Sequence, residues 1–576
     1  MKTFLSSFAG TLLAILLIGV MAGGYAACVA GKKPKIEDHS YLIIEMHGGL
    51  LEYDPPGGIM SQIAGGDAET LQRILGNLEK AQVDDRIEGV ILKVSWGSSM
   101  GGGKAQELRT AIKELQASGK KVYGFAESFE ANHYYLLAAC DEIFAPPSAF
   151  IGFRGFAFTS LHVKRSLEKL GIKPNIHKIK DYKSAAELVI REDMSEPARE
   201  NLEWMVDDFW ETFTQALAED RNLSEEQITS LMEHAYFGAE EALEGGLIDR
   251  VIYWNEVEDM LTHEGDDELR TVSQARYAQV PPGKLGLKGK KTIAVIHAQG
   301  TIAGRKNTVD PLLGLMMGHE SIVAELRRAR EDDDVAAVVF RVDSRGGVAL
   351  DSDLIAQEVE VTAAVKPVVA SMVDVAASGG YLIAYRASKI VADPMTITGS
   401  IGSISGKFNL SGLYEKLGIT HDHVTRGPMA LMDSDLRDYT PEERARFEED
   451  HWNGFNRWLR DVAEHRGMSF EEASKLAHGR VWTGQQANAN GLIDEVGGLG
   501  YAIALAKQLA EIPVNDKVSV VHYPTKKTLI QSLMGGDRNL ATAARWVVYR
   551  FIREDVARTW ELVSHDPALL VNVPAP

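Results

Sequence analysis

The chain has 576 residues, of which 45% are hydrophobic and 25% charged, and its formal net charge is −20. This length exceeds what one ordinary hydrophobic core needs, so we expect two large domains, and the composition excludes a largely disordered or fibrous protein. The acidic balance disfavours nucleic acid as a partner, because binding to a phosphate backbone requires clustered lysine and arginine side chains.

The first predicted element is an apolar segment at the N-terminus. Residues 4–30 carry no charge, and the lysine-rich stretch 32–35 follows them. About 20 apolar residues span a bilayer, so this segment is long enough for a transmembrane helix. A cleaved signal peptide, or a lipoprotein signal ending in YAAC at 25–28, is the alternative. We expect an uncleaved signal anchor over residues 1–36, with one soluble body attached to it.

The remainder of the chain repeats itself. Residues 84–94 (DDRIEGVILKV) resemble residues 332–342 (DDDVAAVVFRV), a shift of 248 residues. The sequence GLID at 246–249 recurs at 491–494, a shift of 245 residues. An offset that stays nearly constant over about 150 residues indicates an internal duplication.

Each copy is predicted to alternate strands and helices. The first copy has a helix, a strand, a glycine-rich turn, a helix and a strand at 69–82, 89–94, 97–103, 104–117 and 121–125. The second copy repeats this order at 320–330, 336–342, 344–348, 349–364 and 367–372. This alternation predicts an α/β fold with a mostly parallel sheet in each copy. The stretch 265–291, rich in proline and glycine, is predicted to link the copies.

No metal or other cofactor is predicted. The two cysteines, Cys28 and Cys140, are not expected to share a compartment, so they build neither a disulfide framework nor a metal site. The 16 histidines include no HExxH sequence and no comparable ligand spacing, which leaves a metallohydrolase without support.

The second copy contains three motifs in a fixed order, DSRGG at 343–347, AASGGY at 376–381 and TGSIG at 398–402. A serine followed by two glycines at a strand-to-helix turn exposes its hydroxyl, so Ser378 is the candidate nucleophile. The amide of Gly379 then points at a developing oxyanion, and the turn at Gly346 and Gly347 can supply a second amide. The alternative is that Ser378 caps the following helix and the glycines only permit tight packing.

Together these motifs resemble those of the signal peptide peptidase A family in its large form, also called protease IV, which are Ser/Lys-dyad peptidases of the ClpP/crotonase superfamily. The resemblance covers both copies and the N-terminal segment. It implies two tandem ClpP/crotonase-like domains, produced by the internal duplication and preceded by a transmembrane helix. It also implies a homotetramer with its active sites inside, which only short or unfolded peptides can enter.

The resemblance also supplies a base, which a serine nucleophile needs and which no histidine of the three motifs provides. The stretch DYKSAAE at 181–187 resembles the family's lysine motif and places Lys183 at the general-base position. A free lysine is protonated at neutral pH, so burial must lower its pKa toward about 7 or 8. Ser400 matches the serine that orients this lysine in the family. The alternatives are a surface lysine and a structural turn serine.

The duplication divides this site between the copies. A shift of 247 residues places Ala131 on Ser378 and Asn132 on Gly379, so the first copy has lost its nucleophile. The matching stretch of the second copy, RGPMALM at 426–432, contains no lysine. One complete site therefore needs both copies.

The resulting domain prediction has four segments. They are the anchor at 1–36, a first crotonase-like domain with the catalytic lysine at 37–275, a second with the catalytic serine at 276–522, and a C-terminal helical extension at 523–576.

By resemblance, the protein is predicted to be a membrane-anchored serine endopeptidase that degrades cleaved signal peptides and other membrane-associated peptides. Its expected place is the bacterial inner (cytoplasmic) membrane, single-pass, with the catalytic body on the periplasmic or extracytoplasmic side. An acyl-CoA enzyme of the crotonase type and an inactive peptide-binding scaffold are the alternatives. Labelling of Ser378 by a fluorophosphonate would separate the three.

Overall fold

The computed structural model describes residues 36–53, 69–95, 97–310 and 314–525. The anchor predicted over 1–36 and the extension predicted over 523–576 therefore lie almost entirely outside the described residues. In the four described ranges, no helix combines the length and the apolar character needed to cross a bilayer.

The first half of the chain builds a six-stranded parallel sheet in the order β10-β1-β2-β3-β5-β9. Its strands, and those of smaller sheets, are β1 (Ser40–Met46), β2 (Ile87–Val94), β3 (Lys121–Ala126), β4 (Ser128–Glu130), β5 (Glu142–Ala145), β6 (Phe150–Phe153), β7 (Lys173–Ile179), β8 (Ala235–Phe237), β9 (Arg250–Val251) and β10 (Thr271–Ser273). Its helices are α1 (Leu71–Val83), α2 (Gly102–Ala117), α3 (Ala131–Leu137), α4 (Lys164–Leu170), α5 (Glu187–Ile190), α6 (Glu196–Arg221), α7 (Glu225–His234), α8 (Ala239–Glu244), α9 (Trp254–Leu261) and α10 (Gln274–Tyr277).

The second half builds a larger sheet in the order β20-β18-β16-β15-β11-β22, in which β17 joins β16 to β21. Its strands are β11 (Lys291–Gln299), β12 (Thr301–Ile302), β13 (Thr308–Asp310), β14 (Gly314–Met317), β15 (Val335–Ser344), β16 (Val368–Ala377), β17 (Lys389–Ala392), β18 (Ile397–Gly399), β19 (Ser403–Asn409), β20 (Val481–Thr483), β21 (Glu495–Val496) and β22 (Val518–Tyr523). Its helices are α11 (His319–Glu331), α12 (Ala349–Ala363), α13 (Gly379–Leu382), α14 (Ser411–Lys416), α15 (Pro441–His465), α16 (Phe470–Leu476), α17 (Gly484–Ala489) and α18 (Leu499–Leu509).

The two main sheets repeat one topology, which agrees with the duplication in the sequence. The order β10-β1-β2-β3-β5-β9 in the first half corresponds to β22-β11-β15-β16-β17-β21 in the second. The central strands are short apolar runs whose side chains are buried, as parallel strands covered on both faces require. The α/β fold predicted from the alternation of strands and helices is confirmed.

The linker predicted over residues 265–291 is partly wrong. Strand β10 and helix α10 lie inside this stretch, and β10 pairs with β1 at the edge of the first sheet. Val272 is buried there, and the Gln274 side chain donates a hydrogen bond to the carbonyl of Glu45. A strand of three residues is too short for a periodic pattern, so its place in the sheet is decided by tertiary contacts.

Two of the contacts that join the halves lie close to the end of the second sheet's central strands or to β7. Strand β7 of the first half pairs in antiparallel fashion with β19 of the second. In addition, the fully buried Arg341 lies 2.8 Å from a carboxylate oxygen of Glu52 and 2.6 Å from one of Glu107, both in the first half. These contacts bring the loop that follows β7 against the second sheet.

Candidate active site

Ser378 lies in the turn between β16 and α13. Its backbone has φ 58° and ψ −117°, a region that residues other than glycine rarely adopt. It occupies the N-cap position of α13, yet its side chain makes no capping hydrogen bond. The geometry therefore does not favour the helix-capping alternative, and the turn presents a hydroxyl that is free to react.

The two glycines after Ser378 are required by close packing. A Cβ atom on Gly379 would lie 2.7 Å from the hydroxyl oxygen of Ser352, and one on Gly380 would lie 2.3 Å from the carbonyl oxygen of Ser344. A side chain at Gly379 would push the turn away from α12, and one at Gly380 would push it away from β15. The Ser-Gly-Gly sequence thus fixes the position of Ser378 above the end of β15.

Two backbone amides meet beside this serine. Gly379 is the first residue of α13, so its N–H group has no partner within the helix. The carbonyl of Ile302 accepts a hydrogen bond from the amide of Val348, and the amide of Ile302 donates one to the carbonyl of Gly346. Because these bonds hold both neighbours of Gly347, the amide of Gly347 faces away from Ile302. A Cβ atom built on Gly379 would lie 3.0 Å from the nitrogen of Gly347. These two amides are therefore the candidate donors to an oxyanion that forms beside Ser378.

The neighbouring Gly346 has a different place in the turn. Its amide donates to the hydroxyl of Ser344 at 3.1 Å, so this N–H group is already occupied. Its φ of 92° lies in the left-handed region, which favours glycine. Of the two glycines predicted from the sequence, Gly347 is thus the better candidate for the amide donor, while Gly346 permits the turn.

Lys183 follows β7 and reaches the second half of the chain. Its Nζ atom lies 2.9 Å from the hydroxyl oxygen and 2.8 Å from the carbonyl oxygen of Ser400. The residue is 5% exposed, and burial lowers the pKa of its amine to about 8. A substantial fraction of this lysine is therefore neutral near physiological pH, which a general base requires.

A loop of the second half holds the backbone of this lysine. The amide of Tyr182 donates to the carbonyl of His478 at 3.0 Å, and a Cβ atom on Gly479 would lie 2.5 Å from the nitrogen of Lys183. Only glycine allows such an approach. Sequence reasoning missed Gly479, because it stands outside the three motifs and its partner is almost 300 residues away.

The end of β18 connects Ser378 with Lys183. The amide of Ser378 donates to the carbonyl of Gly399 at 2.8 Å, and Ser400, the next residue, contacts Lys183. Gly399 and Ser400 both have positive φ, and the amide of Ser400 is held by the carbonyl of Arg480. The structure thus brings Ser378, Lys183 and Ser400 to one strand end.

The corresponding turn of the first half is closed. Ala131 begins α3 where the second half has its serine. The ring of His133 is buried and lies 2.6 Å from the carbonyl oxygen of Ser98. The amide of Ser99, which matches Gly347, donates to the carbonyl of Gly48. The first half therefore offers neither a nucleophile nor a free pair of amides at this position.

Both halves of the chain are similar to known proteins. The model of the family described as Peptidase family S49 matches residues 114–266 and 360–513, one match in each half. The chain is 37% identical to the chloroplastic serine protease SPPA of Arabidopsis thaliana, over 81% of this chain and 70% of that protein. It is 30% identical to Protease 4 of Salmonella typhi, over 83% of this chain and 78% of that protein. It is also 36% identical to a putative signal peptide peptidase SppA of Enterococcus faecium, over 31% of this chain and 52% of that protein.

Proposed function

Because the chain belongs to peptidase family S49 and is a serine protease, we propose that Ser378 is its nucleophile and Lys183 its general base. The contact between the Nζ atom of Lys183 and the hydroxyl of Ser400, at 2.9 Å in a buried setting, carries this proposal. A neutral lysine amine has two N–H groups, and the two oxygens of Ser400 accept both. The lone pair of the amine then points away from Ser400 and is free to accept a proton.

The reaction follows from these positions. The hydroxyl of Ser378 attacks the carbonyl carbon of the scissile peptide bond, while Lys183 takes the hydroxyl proton. The amides of Gly379 and Gly347 donate to the oxyanion that forms. The lysine ammonium then protonates the leaving amine, which departs and leaves an acyl-enzyme. A water molecule, deprotonated by the same lysine, hydrolyses the acyl-enzyme and restores the serine.

Ser400 has the role of orienting the base. It touches the lysine amine through two oxygens and has no covalent part in the reaction. Without these acceptors the amine would rotate about its terminal bond, and its lone pair would face Ser378 for only part of the time.

The proposed substrates are cleaved signal peptides and other membrane-associated peptides, cut beside the membrane. The name of the E. faecium relative supports this substrate class. We also propose a single-pass anchor in the bacterial inner (cytoplasmic) membrane, with the catalytic body on the periplasmic or extracytoplasmic side. The uncharged stretch 4–30 is long enough to form such an anchor. No cofactor has a part in this chemistry.

We also propose that copies of the chain assemble head to tail as a homotetramer. The sequence KLGI occurs at 169–172 and at 416–419, a shift of 247 residues. With this shift, β7 corresponds to residues 420–426 and β19 to residues 156–162. Strands β7 and β19 pair with each other, whereas in the described structure their two counterparts belong to no strand.

Those counterparts are exposed and partly apolar, since Val424 is 93% and Leu161 70% exposed. Unpaired, apolar chain segments of this kind are suited to pairing with another chain. A second copy can pair its 156–162 segment with the 420–426 segment of the first, as β19 pairs with β7. The first copy then still has its 156–162 segment free and the second its 420–426 segment, so the pairing repeats until a ring closes. The number of four copies rests on the family resemblance.

Labelling with a fluorophosphonate tests the proposed mechanism. The probe should modify Ser378 in the full chain, as located by peptide mass spectrometry, and Lys183→Met should abolish the labelling. Lys80→Met is the matched control, because Lys80 is also buried but donates to the carbonyls of Tyr277 and Val280 within the first half. Unlabelled Ser378 in an active wild-type protein would refute the assignment, and absence of any hydrolysis would favour an acyl-CoA enzyme or a scaffold.

A further inference from the structure

Strands β15 and β16 depart from regular pairing just before the nucleophile. Val342 pairs with Met372, but Ser344 pairs with Ala376, so β16 contains extra residues between the two pairs. An irregularity of this kind is a β-bulge, and bulges beside active sites redirect the side chains that follow them. The bulge in β16 therefore determines where the turn with Ser378 lies relative to the end of β15.

A lysine from the first half occupies this bulge. The Nζ atom of Lys104 lies 2.8 Å from a carboxylate oxygen of Asp343 in β15 and 2.5 Å from one of Asp374 in β16. The backbone amide of Lys104 donates to the other oxygen of Asp374 at 3.0 Å, while the other oxygen of Asp343 accepts from the amide of Val375 at 3.3 Å. The lysine side chain is 7% exposed. One buried ammonium thus bridges the two catalytic strands.

The glycines before this lysine allow the contact. A Cβ atom on Gly101 would lie 2.1 Å from the Cγ atom of Asp374, and one on Gly103 would lie 2.5 Å from the carbonyl oxygen of Val373. The start of α2 therefore rests directly on the bulge. In the duplicated fold this stretch follows β2, the counterpart of β15, so the segment that corresponds to the oxyanion turn of the second half rests against that half's site.

On the basis of the function proposed above, we propose that Lys104 is a positioning residue, which fixes Ser378 and Gly379 relative to the amide of Gly347. Two carboxylates this close would repel each other in a buried setting, and the ammonium holds them together. Immediately beyond the ammonium, β15 and β16 pair again and enter the two turns of the site.

The charge of this lysine is constant over the working pH range. Burial by itself would lower the pKa of Lys104, but the carboxylates of Asp343 and Asp374 outweigh it and hold the pKa above its usual range. Lys104 is therefore not a second base, and its effect must be exerted through the geometry of the site.

The test compares Lys104→Met with the wild type in the full chain, using kcat and KM for a peptide substrate across pH. We expect kcat to fall by about 10- to 100-fold, because small displacements of catalytic groups have effects of this size, with KM changed by less than about 3-fold. The pH midpoint of kcat/KM should remain near that of the wild type, since the burial of Lys183 is untouched.

A second variant separates positioning from general destabilisation. Lys104→Met combined with Asp374→Asn restores the net charge that Lys104, Asp343 and Asp374 have together in the wild type. The asparagine oxygen can still accept a hydrogen bond from the amide of residue 104. This pair should recover about 10-fold of the lost kcat. Gly101→Ala offers an independent route, because its Cβ atom displaces Asp374. Gly76→Ala is its control, since a Cβ atom there meets nothing within 4 Å.

Different results would contradict the positioning role of Lys104 and the proposed nucleophile. A wild-type kcat in both Lys104→Met and Gly101→Ala would overturn the positioning role. A loss of kcat accompanied by a higher pH midpoint would also overturn it, because exposure of Lys183 through separation of the halves would then be the cause. Residual activity in Ser378→Ala would instead refute the proposed nucleophile and would leave the Lys104 comparison to be judged on its own kinetics.

Discussion

The side-chain amine of Lys183, in the first half of the chain, lies 2.9 Å from the hydroxyl oxygen of Ser400, in the second half. This contact exists because β7 and β19 pair across the two halves and the glycine at 479 admits the lysine backbone. In the proposed mechanism, catalysis therefore depends on the docking of the halves, because the Lys183 amine is buried between them.

The first prediction concerns the pH dependence of activity. In the proposed mechanism the neutral form of Lys183 is the base, and burial lowers the pKa of this amine to about 8. Activity should thus rise as pH increases and pass its half-maximum near pH 8. The measurement is kcat/KM from about pH 6 to about pH 10. A half-maximum near pH 6.5, the usual pKa of histidine, would point to a different base.

The second prediction is that Lys183→Met and Lys183→Arg each reduce kcat by more than about 1,000-fold, because nucleophile and base act as a unit. Arginine preserves the positive charge but does not lose its proton near neutral pH, so it cannot replace the base. Steady-state hydrolysis of a peptide substrate measures the effect, and Lys80→Met provides the buried-lysine control. Substantial activity in Lys183→Arg would contradict the role of a proton acceptor.

The third prediction is that Lys183→Met makes the protein more stable at neutral pH. The lysine amine has a pKa of about 8 in the folded protein and about 10.5 in the unfolded chain. Below pH 8 the amine is charged in both states, so folding must bury a charged group, which lowers the free energy of unfolding. This cost is relieved as pH rises from the folded to the unfolded pKa. Allowing for the lost contacts with Ser400, the variant should gain about 2 kcal/mol in the free energy of unfolding at pH 7.

Urea unfolding at several pH values checks this prediction. The gain should shrink as pH approaches 10.5, where the lysine is neutral in the folded state and half neutral in the unfolded state. A variant that is less stable than the wild type at pH 7 would show that the lysine contributes more through its contacts than its burial costs.

The fourth prediction concerns Ser400→Ala, which should slow the reaction by about 10- to 100-fold without abolishing it. The hydroxyl oxygen of Ser400 accepts from the Lys183 amine and so favours its charged form. Its removal should shift the half-maximum of activity to lower pH by about half a unit. An unchanged rate and pH profile would assign Ser400 to the structure of the turn alone.

The fifth prediction concerns the buried charges between the halves. Arg341→Met should cost about 3 to 5 kcal/mol of stability, because it leaves the carboxylates of Glu52 and Glu107 buried without their cation. Converting both glutamates to glutamine in the same chain should restore much of this loss. Denaturant unfolding measures both effects. As a control, Arg446→Met removes the exposed pair with Glu449 and should change stability by less than about 1 kcal/mol. An equal loss in the two variants would contradict the argument.

The sixth prediction concerns assembly. If residues 420–426 of one copy pair with 156–162 of another in the register of β7 and β19, Val424 lies opposite Phe158, because His177 lies opposite Ser405. Val424→Pro should then lower the apparent mass in sedimentation velocity, since proline cannot be accommodated in the ladder. Val514→Asp, at another exposed valine, is the control. A full-size oligomer in the Val424 variant would refute this pairing.

The sequence alone determined the fold class and pointed to Ser378 as the proposed nucleophile. Strands and helices alternate with regular periods, so their hydrophobic patterns could be recognised locally, and the duplication showed that one topology occurs twice. Ser378 could be selected because its motif is local: a serine, two glycines and a turn stand within a few residues. The choice of Lys183 needed the family resemblance, since a lysine carries no local sign that it is buried.

The tertiary structure decided how the two halves complete one site. The pairing of β7 with β19, the access that Gly479 gives to Lys183, and the bridge from Lys104 to Asp343 and Asp374 all join residues more than 200 positions apart. Burial, and with it the lowered pKa of Lys183, also arises only when the halves meet. These properties depend on the relative placement of two folded sheets, which the short-range periodicity of a sequence does not encode.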